Sequence, residues 1–391
     1  MKENKMRFVS EELQELEKSG LYRRLRTITS NQEAHVTIGG KDYVSFSSNN
    51  YLSLANHRQV KEAAVNAIKK YGCGAGASRL IVGTMELHTH LEERIAQFEG
   101  KPAAILFCTG YVANVGVITA LVKGGDIVIV DRLNHASIID AVRLSGARLL
   151  VYPHRDMKRL ESILKRYRSV GKKLIVTDSV FSMDGDFAPL PAIVKLARKY
   201  KAITMVDEAH ATGIIGLSGR GVSEHFGVAQ DIDIIMGTLS KAIGSLGGFV
   251  VGTKELIDYL HNKARSFIYT TALPPAVCAA AIASFDIIES QPGLRKKFWD
   301  RVDQAKKGLG KIGFNLLNTE SHIIPVFVGN EKTVMEMSRY LYENGILVPG
   351  IRQPTVPKNT ARLRITLMAT HTRRDITRLL SVCEEAQKIF L

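Results

Sequence analysis

Between residues 103 and 251 the chain alternates short apolar runs with longer stretches in which apolar residues recur every three or four positions. The runs fall at 103–107, 127–130, 148–152, 174–177, 203–206, 232–236 and 249–251. Each is nearly continuous in apolar residues, which is the pattern of strands covered on both faces, and the helix-period stretches between them supply the covering layers. The expectation is an α/β fold on a mostly parallel sheet.

The flanks read differently. Residues 9–20 alternate acidic and apolar positions at helical spacing and stop at Gly20, and residues 36–46 read as a hairpin about Gly39-Gly40. Helices are expected at 59–71, 86–99, 113–122, 254–261, 276–289 and 296–309. The C-terminal part orders as strand 323–328, helix 333–343, strands 346–348 and 362–367, and helix 372–389, with Thr372 placed to cap it. This gives three parts: an N-terminal segment 1–47, a large domain 48–288 and a small α+β domain 289–391.

The reactive side chains gather just beyond the ends of the central runs: His135, Ser182, Asp207, His210, Thr238 and Lys241. Ligands in open α/β sheets bind outside the carboxyl ends of the strands, so these residues are expected to share one pocket. Lys241 lies in Gly237-Thr238-Leu239-Ser240-Lys241-Ala242-Ile243-Gly244, with Gly247-Gly248 behind it, a strand end turning through glycines past one lysine flanked by hydroxyls. On its own that is as readily a solvated loop lysine. A confined lysine, however, forms a Schiff base with an aldehyde, and Asp207 supplies the carboxylate that keeps the pyridine nitrogen of pyridoxal phosphate (PLP) protonated. Cys108-Thr109-Gly110-Tyr111, between a strand and a helix, has the arrangement that aims backbone N–H groups at a phosphate.

Four motifs occur in order: Asn134-His135-Ala136-Ser137, Val180-Phe181-Ser182-Met183-Asp184-Gly185, Asp207-Glu208-Ala209-His210 and Thr238-Leu239-Ser240-Lys241. From about residue 20 to the C-terminus the chain resembles the α-oxoamine synthases, which join an amino acid to an acyl-CoA with loss of CO2. The resemblance implies a fold-type I PLP-dependent transferase, with a seven-stranded sheet in the large domain and a smaller α+β C-terminal domain. It implies that Lys241 holds PLP and moves the α-proton, that Asp207 pairs with the pyridine nitrogen, and that His135 stacks on the ring. Ser182 and His210 are matched to the phenolic oxygen, and Gly110, Tyr111 and Thr238 to the phosphate. Thr270 or Thr271 is matched to the phosphate of a neighbouring subunit, which implies a homodimer with shared active sites. Arg23, Asn49, His135, Thr355 and Arg364 are matched to the substrates. The run Ile351-Arg352-Gln353-Pro354-Thr355-Val356-Pro357 is most similar to members that condense L-alanine with a pimeloyl thioester; members that acetylate glycine share almost the same residues and are the alternative.

Composition trims the remaining possibilities. At 391 residues and 45% hydrophobic, the chain has ample core. Its first dozen residues carry charges throughout, and its longest apolar region, 276–288, contains Asp286 and is too short to span a bilayer, so a cytoplasmic protein with no membrane partner is expected. Cys73, Cys108, Cys278 and Cys383 lie far apart with no Cys-x-x-Cys pair, which suggests neither disulfides nor a metal site. The net charge of +15 raises nucleic acid as a partner, but the basic residues are spread along the chain, and PLP and an acyl-CoA are themselves anionic. Asp207-Glu208-Ala209-His210 also spells a helicase box, yet no Gly-Lys is followed by Ser or Thr to complete a phosphate loop, so no nucleic-acid partner is expected.

Overall fold

The apolar runs form the central sheet in a computed structural model of the protein, which describes residues 5–391; residues 1–4 of the expected N-terminal segment lie outside it. After a hairpin of β1 (His35–Ile38) and β2 (Lys41–Ser45) come β3 (Ala103–Phe107), β4 (Ile127–Asp131), β5 (Arg148–Tyr152), β6 (Lys173–Asp178), β7 (Ile203–Asp207), β8 (Ile234–Thr238) and β9 (Gly248–Gly252). β3 to β9 build one seven-stranded sheet in the order β3-β9-β8-β7-β6-β4-β5. The five strands from β8 to β5 are mutually parallel, and β9 runs antiparallel to both its neighbours.

Successive side chains along a strand face opposite sides, and both sides are buried here. Ile129, Ile175, Val206, Ile235 and Val251 pack into one core with Leu91, Ile95 and Phe98 of helix Glu86–Glu99 and Phe285 of helix Pro275–Ser290. Val128, Val130, Val176, Met205 and Val250 pack into the other with Val117 of helix Gly110–Leu121, Val142 of helix Ala136–Ser145 and Leu260 of helix Lys254–Lys263. Two covered faces are why these strands read as unbroken apolar runs.

One expected strand is displaced. The run at 232–236 begins as strand only at Ile234 and continues through Gly237 and Thr238, which pair with Phe249 and Gly248 of β9. Gly237 serves as a strand residue because the Phe249 ring lies where its Cβ would be. The start is held back because the Asp233 carboxylate accepts from both Thr204 N and Thr204 Oγ1, each at 2.8 Å.

In the C-terminal part, β10 (Ile323–Gly329), β12 (Gly350–Ile351) and β13 (Ala361–Thr366) form an antiparallel sheet in the order β10-β13-β12. β11 (Ile346–Leu347) does not join it; it pairs in parallel with β2, so the N-terminal hairpin extends into a β1-β2-β11 sheet. Tyr43 of β2 stacks on Tyr342 with ring centres 4.5 Å apart, which seats the hairpin against helix Glu331–Glu343. The helix Arg373–Phe390 opens on the expected cap: Thr372 Oγ1 accepts from Asp375 N at 3.2 Å, and Asp375 Oδ2 accepts from Thr372 N at 2.8 Å.

Two surface features were not anticipated. Residues Arg79–Gly83 form a π-helical turn that leaves Leu80, Ile81 and Val82 exposed by 54, 76 and 77%. The helix Arg7–Lys18 buries no residue at all and exposes Phe8, Leu13 and Leu16. No helix among the described residues is long and apolar enough to cross a membrane.

Candidate active site

Beyond the carboxyl ends of β4, β6, β7 and β8 lies a cavity of about 170 Å³. Gly110, Tyr111, His135, Ser182, Asp207, His210, Thr238 and Lys241, drawn from five separate stretches of chain, all line it. Lys241 sits on the loop between the antiparallel strands β8 and β9. That loop is pinned at its stem, where Leu239 N and Thr238 Oγ1 both donate to Gly247 O at 2.9 Å. Farther along, Gly244 takes φ +69°, and a Cβ there would collide with the backbone of Leu54 and Ala55. The lysine is therefore held between a hydrogen-bonded stem and a close backbone contact.

Burial pulls the Lys241 ammonium pKa down to about 8, against the opposing pull of the Asp207 and Asp178 carboxylates and aided by the charge of Arg364. Asp207, at the end of β7, is 4% exposed. Its Oδ1 accepts from Ala209 N and its Oδ2 from Asn114 Nδ2, both at 2.9 Å. Asn114 Nδ2 also donates to Ser137 Oγ at 2.9 Å, and Ser137 Oγ lies 2.8 Å from His135 Nδ1, so the carboxylate and the imidazole are tied through two side chains. Asp178, at the end of β6 in register with Asp207, accepts from His135 N at 2.7 Å. Burial and the Asp207 charge push its carboxyl well above the usual range. Burial also lowers the pKa of His135.

The opposite wall is a second network. Tyr51 is fully buried, and its hydroxyl lies 2.7 Å from His210 Nδ1 and donates to Asn49 Oδ1 at 3.1 Å. Burial raises the Tyr51 phenol to about 12, and burial together with the charges of Lys241 and Arg364 holds His210 well below the ordinary histidine range. The ring of His322 meets Tyr51 edge-on at 4.2 Å, with neither of its nitrogens hydrogen-bonded. Arg364 Nε donates to Ser182 O at 2.7 Å, its terminal nitrogens lie 3.4 and 3.5 Å from Asn49 Oδ1, and Arg362 donates to Asp184 Oδ1 at 2.7 Å. Both arginines are buried, on the face of β13 turned to the large sheet. The default for alternating charges on a strand is a solvated face; here the turn at 180–187 covers it.

Four of the sequence-matched residues lie elsewhere. Arg23 and Thr355 are exposed and line an open groove of about 1210 Å³ together with Arg24, Arg26, Ile351 and Arg352. Thr270 and Thr271 lie behind the pocket beside Cys108, whose Sγ is 3.7 Å from Thr270 Oγ1 and donates to Thr271 O at 3.2 Å. Sequence reasoning passed over Tyr51, Asn114 and Asp178 as site residues. Asp178 could have been found, since it ends a buried apolar strand as Asp207 does.

The pocket fits PLP. It offers a buried amine of lowered pKa and a buried carboxylate with two donors already in place. It also offers the amino end of helix Gly110–Leu121, capped by Thr109 Oγ1 accepting from Val112 N, whose first N–H groups have no partner within the helix. The fold and pocket together define a fold-type I PLP-dependent enzyme.

A family model described as aminotransferase class I and II matches residues 41–382. An 8-amino-7-oxononanoate synthase from Geobacter sulfurreducens is 52% identical over 374 residues, covering 95% of this chain and 96% of the relative. One from Thermoanaerobacter pseudethanolicus is 48% identical, covering 97% of each. Among solved structures, a serine palmitoyltransferase from S. paucimobilis with bound PLP superposes with a TM-score of 0.93 at 32% identity, covering 99% of this chain and 98% of its own. An 8-amino-7-oxononanoate synthase from Francisella tularensis superposes at 0.78 and 30% identity, covering 89% and 98%. The chain belongs to the aminotransferase class I and II family, among its α-oxoamine synthases, and PLP is its cofactor.

Proposed function

We propose that the enzyme condenses L-alanine with a pimeloyl thioester, releasing CO2 and the thiol carrier, to give 8-amino-7-oxononanoate for biotin biosynthesis. The observation that carries the chemistry is the Lys241 amine, brought to about 8 beside two buried carboxylates. Near-full-length identity to 8-amino-7-oxononanoate synthases supports the product.

When bound, PLP supplies an electron sink for negative charge at the α-carbon of the amino acid. The protein does the rest. The Gly110 and Tyr111 amides, with Thr238, hold the phosphate, and the Asp207 carboxylate takes the pyridine nitrogen as partner. His210, held at Nδ1 by Tyr51, and Ser182 would stand by the phenolic oxygen, and His135 would cover the ring face. Arg364, fixed by Ser182 O and steadied by Asn49, receives the amino-acid carboxylate. Lys241 Nζ takes the α-proton and can return it, because a pKa about 8 leaves both protonation states populated near neutral pH.

The groove bearing Arg23 and Thr355 takes the acyl chain, with Arg23 facing its distal carboxylate. Thr270 or Thr271, neither of which lines its own pocket, completes the phosphate site of a second copy in a homodimer with shared active sites. The large and small domains, 48–288 and 289–391, meet where helix Pro275–Ser290 gives way to helix Pro292–Ile312. Four unpaired cysteines suit a cytoplasmic enzyme.

The test compares kcat/KM for L-alanine with pimeloyl-CoA against glycine with acetyl-CoA. Each methylene buried in the groove adds about 0.8 kcal/mol, or about fourfold, so pimeloyl-CoA should be preferred by well over tenfold. Arg23→Ala should lose activity with pimeloyl-CoA selectively. A preference for acetyl-CoA would make the enzyme a glycine acetyltransferase instead.

A further inference from the structure

Behind the pocket, where none of the reacting groups reach, His154 lies between two buried carboxylates. Its Nδ1 is 3.0 Å from Asp131 Oδ1 and its Nε2 is 2.8 Å from Asp186 Oδ2. An ionised carboxylate only accepts hydrogen bonds, so a ring placed against two of them must donate from both nitrogens, and only an imidazolium does that. Both Asp131 oxygens are acceptors besides: Oδ1 also accepts from Leu133 N at 2.9 Å and Oδ2 from Arg155 N at 2.8 Å. Asp186 Oδ2 also accepts from Arg155 Nη1 at 3.1 Å.

The two carboxylates belong to different turns. Asp131 closes the turn that presents His135, with Leu133 N on its side chain and Asn134 N donating to its carbonyl at 3.1 Å. Asp186 closes the turn that backs Arg364: its carbonyl accepts from Phe181 N at 3.1 Å, and within that turn Ser182 O and Asp184 hold Arg364 and Arg362. We propose that His154 is a positioning residue, a doubly hydrogen-bonded cation that ties the turn carrying His135 to the turn that seats Arg364, and so sets the spacing between the ring-covering imidazole and the substrate-carboxylate clamp.

The surroundings agree. The groups at the ring are the Asp131 and Asp186 carboxylates, the Arg155 guanidinium with its second partner Glu320 at 3.1 Å, and the Phe181 ring, edge-on at 4.4 Å, while the buried Tyr152 phenol stands near Asp131. Burial disfavours the charged imidazole, but its two carboxylate hydrogen bonds outweigh that and raise it to about 9. Burial and Asp131 raise the Tyr152 phenol, so it stays neutral across this range. A raised folded-state pKa means that the stability the tie contributes is full below the free-histidine value near 6.5, and that the tie itself is lost as pH rises through about 9. Losing one N–H removes the imidazole bridge and leaves Arg155, bound to Asp131 Oδ2 through its N and to Asp186 Oδ2 through Nη1, as the weaker remaining tie between the two turns.

The test uses the PLP-loaded enzyme with ring-labelled histidine, the His154 signals being assigned by His154→Gln. Both ring nitrogens of His154 should carry protons at pH 8 and titrate near 9. Asp186→Asn should lower that midpoint by about one pH unit or more through loss of the carboxylate partner, and the alkaline limb of kcat/KM for L-alanine should move down with it. His154→Gln should raise KM for L-alanine by about tenfold, the scale of one lost charge-assisted hydrogen bond. PLP content and KM for pimeloyl-CoA should stay unchanged. A His154 that titrates below pH 7, or an alkaline limb that stays in place in Asp186→Asn, overturns the proposal. Should His154→Gln fail to fold, Asp186→Asn decides the matter, its signals assigned by comparison with wild type.

Discussion

The Tyr51 hydroxyl joins the two halves of the site. It bonds His210 on the cofactor side and Asn49 on the substrate side, and its burial keeps it protonated far above physiological pH. Tyr51→Phe removes one oxygen and leaves His210 Nδ1 buried without a partner, a loss of about 1–3 kcal/mol. We expect a folded protein whose kcat/KM for L-alanine falls by roughly tenfold to a hundredfold on that basis, and whose bound-PLP absorbance titrates at a changed pH. An unaltered absorbance titration would remove Tyr51 from the network. Residues of this kind explain what the sequence hid. His135, Ser182, Asp207, His210, Thr238 and Lys241 were legible together because each follows an apolar run, and strand ends converge in such a sheet. Tyr51 meets His210 across 159 positions of chain, and Asn114 meets Asp207 across 93. No local pattern marks a hydrogen bond at that separation.

Elements whose signal is their own periodicity came out nearly where expected; those defined by a distant partner did not. β11 is apolar enough to be recognised as a strand, but its pairing with β2 depends on a hairpin some three hundred residues earlier. β8 shows the same effect within a short distance, since Gly237 and Thr238 are strand only because β9 returns beside them. Gly248, at the start of β9, also limits the helix whose amino end is proposed to seat the phosphate. A Cβ there would stand 2.6 Å from Thr109 O and 2.7 Å from Gly110 N. Gly248→Ala must push the amino end of helix Gly110–Leu121 away from the pocket, at the roughly 1–3 kcal/mol typical of overpacking. PLP should dissociate more readily on dialysis, with the dissociation constant raised about tenfold or more by that cost. A dissociation constant equal to that of wild type would mean that this helix end does not seat the phosphate.

Burial lowers the pKa of six histidines of the molecule, and three of them are held neutral furthest into acid. His210 and His322 are held well below the ordinary range, and His371, stacked on Phe46 at 4.3 Å, is lowered to about 4. Unfolded, each would take a proton near pH 6.5; folded, none does until much lower. Stability from this source is therefore full above about pH 6.5 and drains as pH falls toward 4. Thermal unfolding should move to clearly lower temperature between pH 7 and pH 5, and His371→Asn should flatten that slope. A melting temperature that does not change over this interval would show that the three rings are already charged in the fold. The protein is thus bounded on both sides, since the buried rings fail in acid and His154 releases its turns in alkali. The C-terminal helices were visible in the sequence, but the attachment of the N-terminal hairpin beside them was not, because that joint is made of contacts distant in sequence: the Tyr43–Tyr342 stack, the pairing of β11 with β2, and His35 against Asp375 at 3.1 Å.

If the exposed turn of Leu80, Ile81 and Val82 meets a second copy in the proposed homodimer, ionic strength acts on this enzyme in two opposite ways. Each copy carries a net charge of +15, so two copies repel as they approach, while an apolar contact through that turn is indifferent to charge. Salt shortens the reach of the repulsion, to about 10 Å at 0.1 M, and leaves the apolar contact intact, so it draws the proposed subunits together. The same screening weakens the pull of Arg23, Arg24 and Arg26 on an anionic thioester. Assembly and substrate capture thus favour opposite ends of the salt scale, and the enzyme should work best between them.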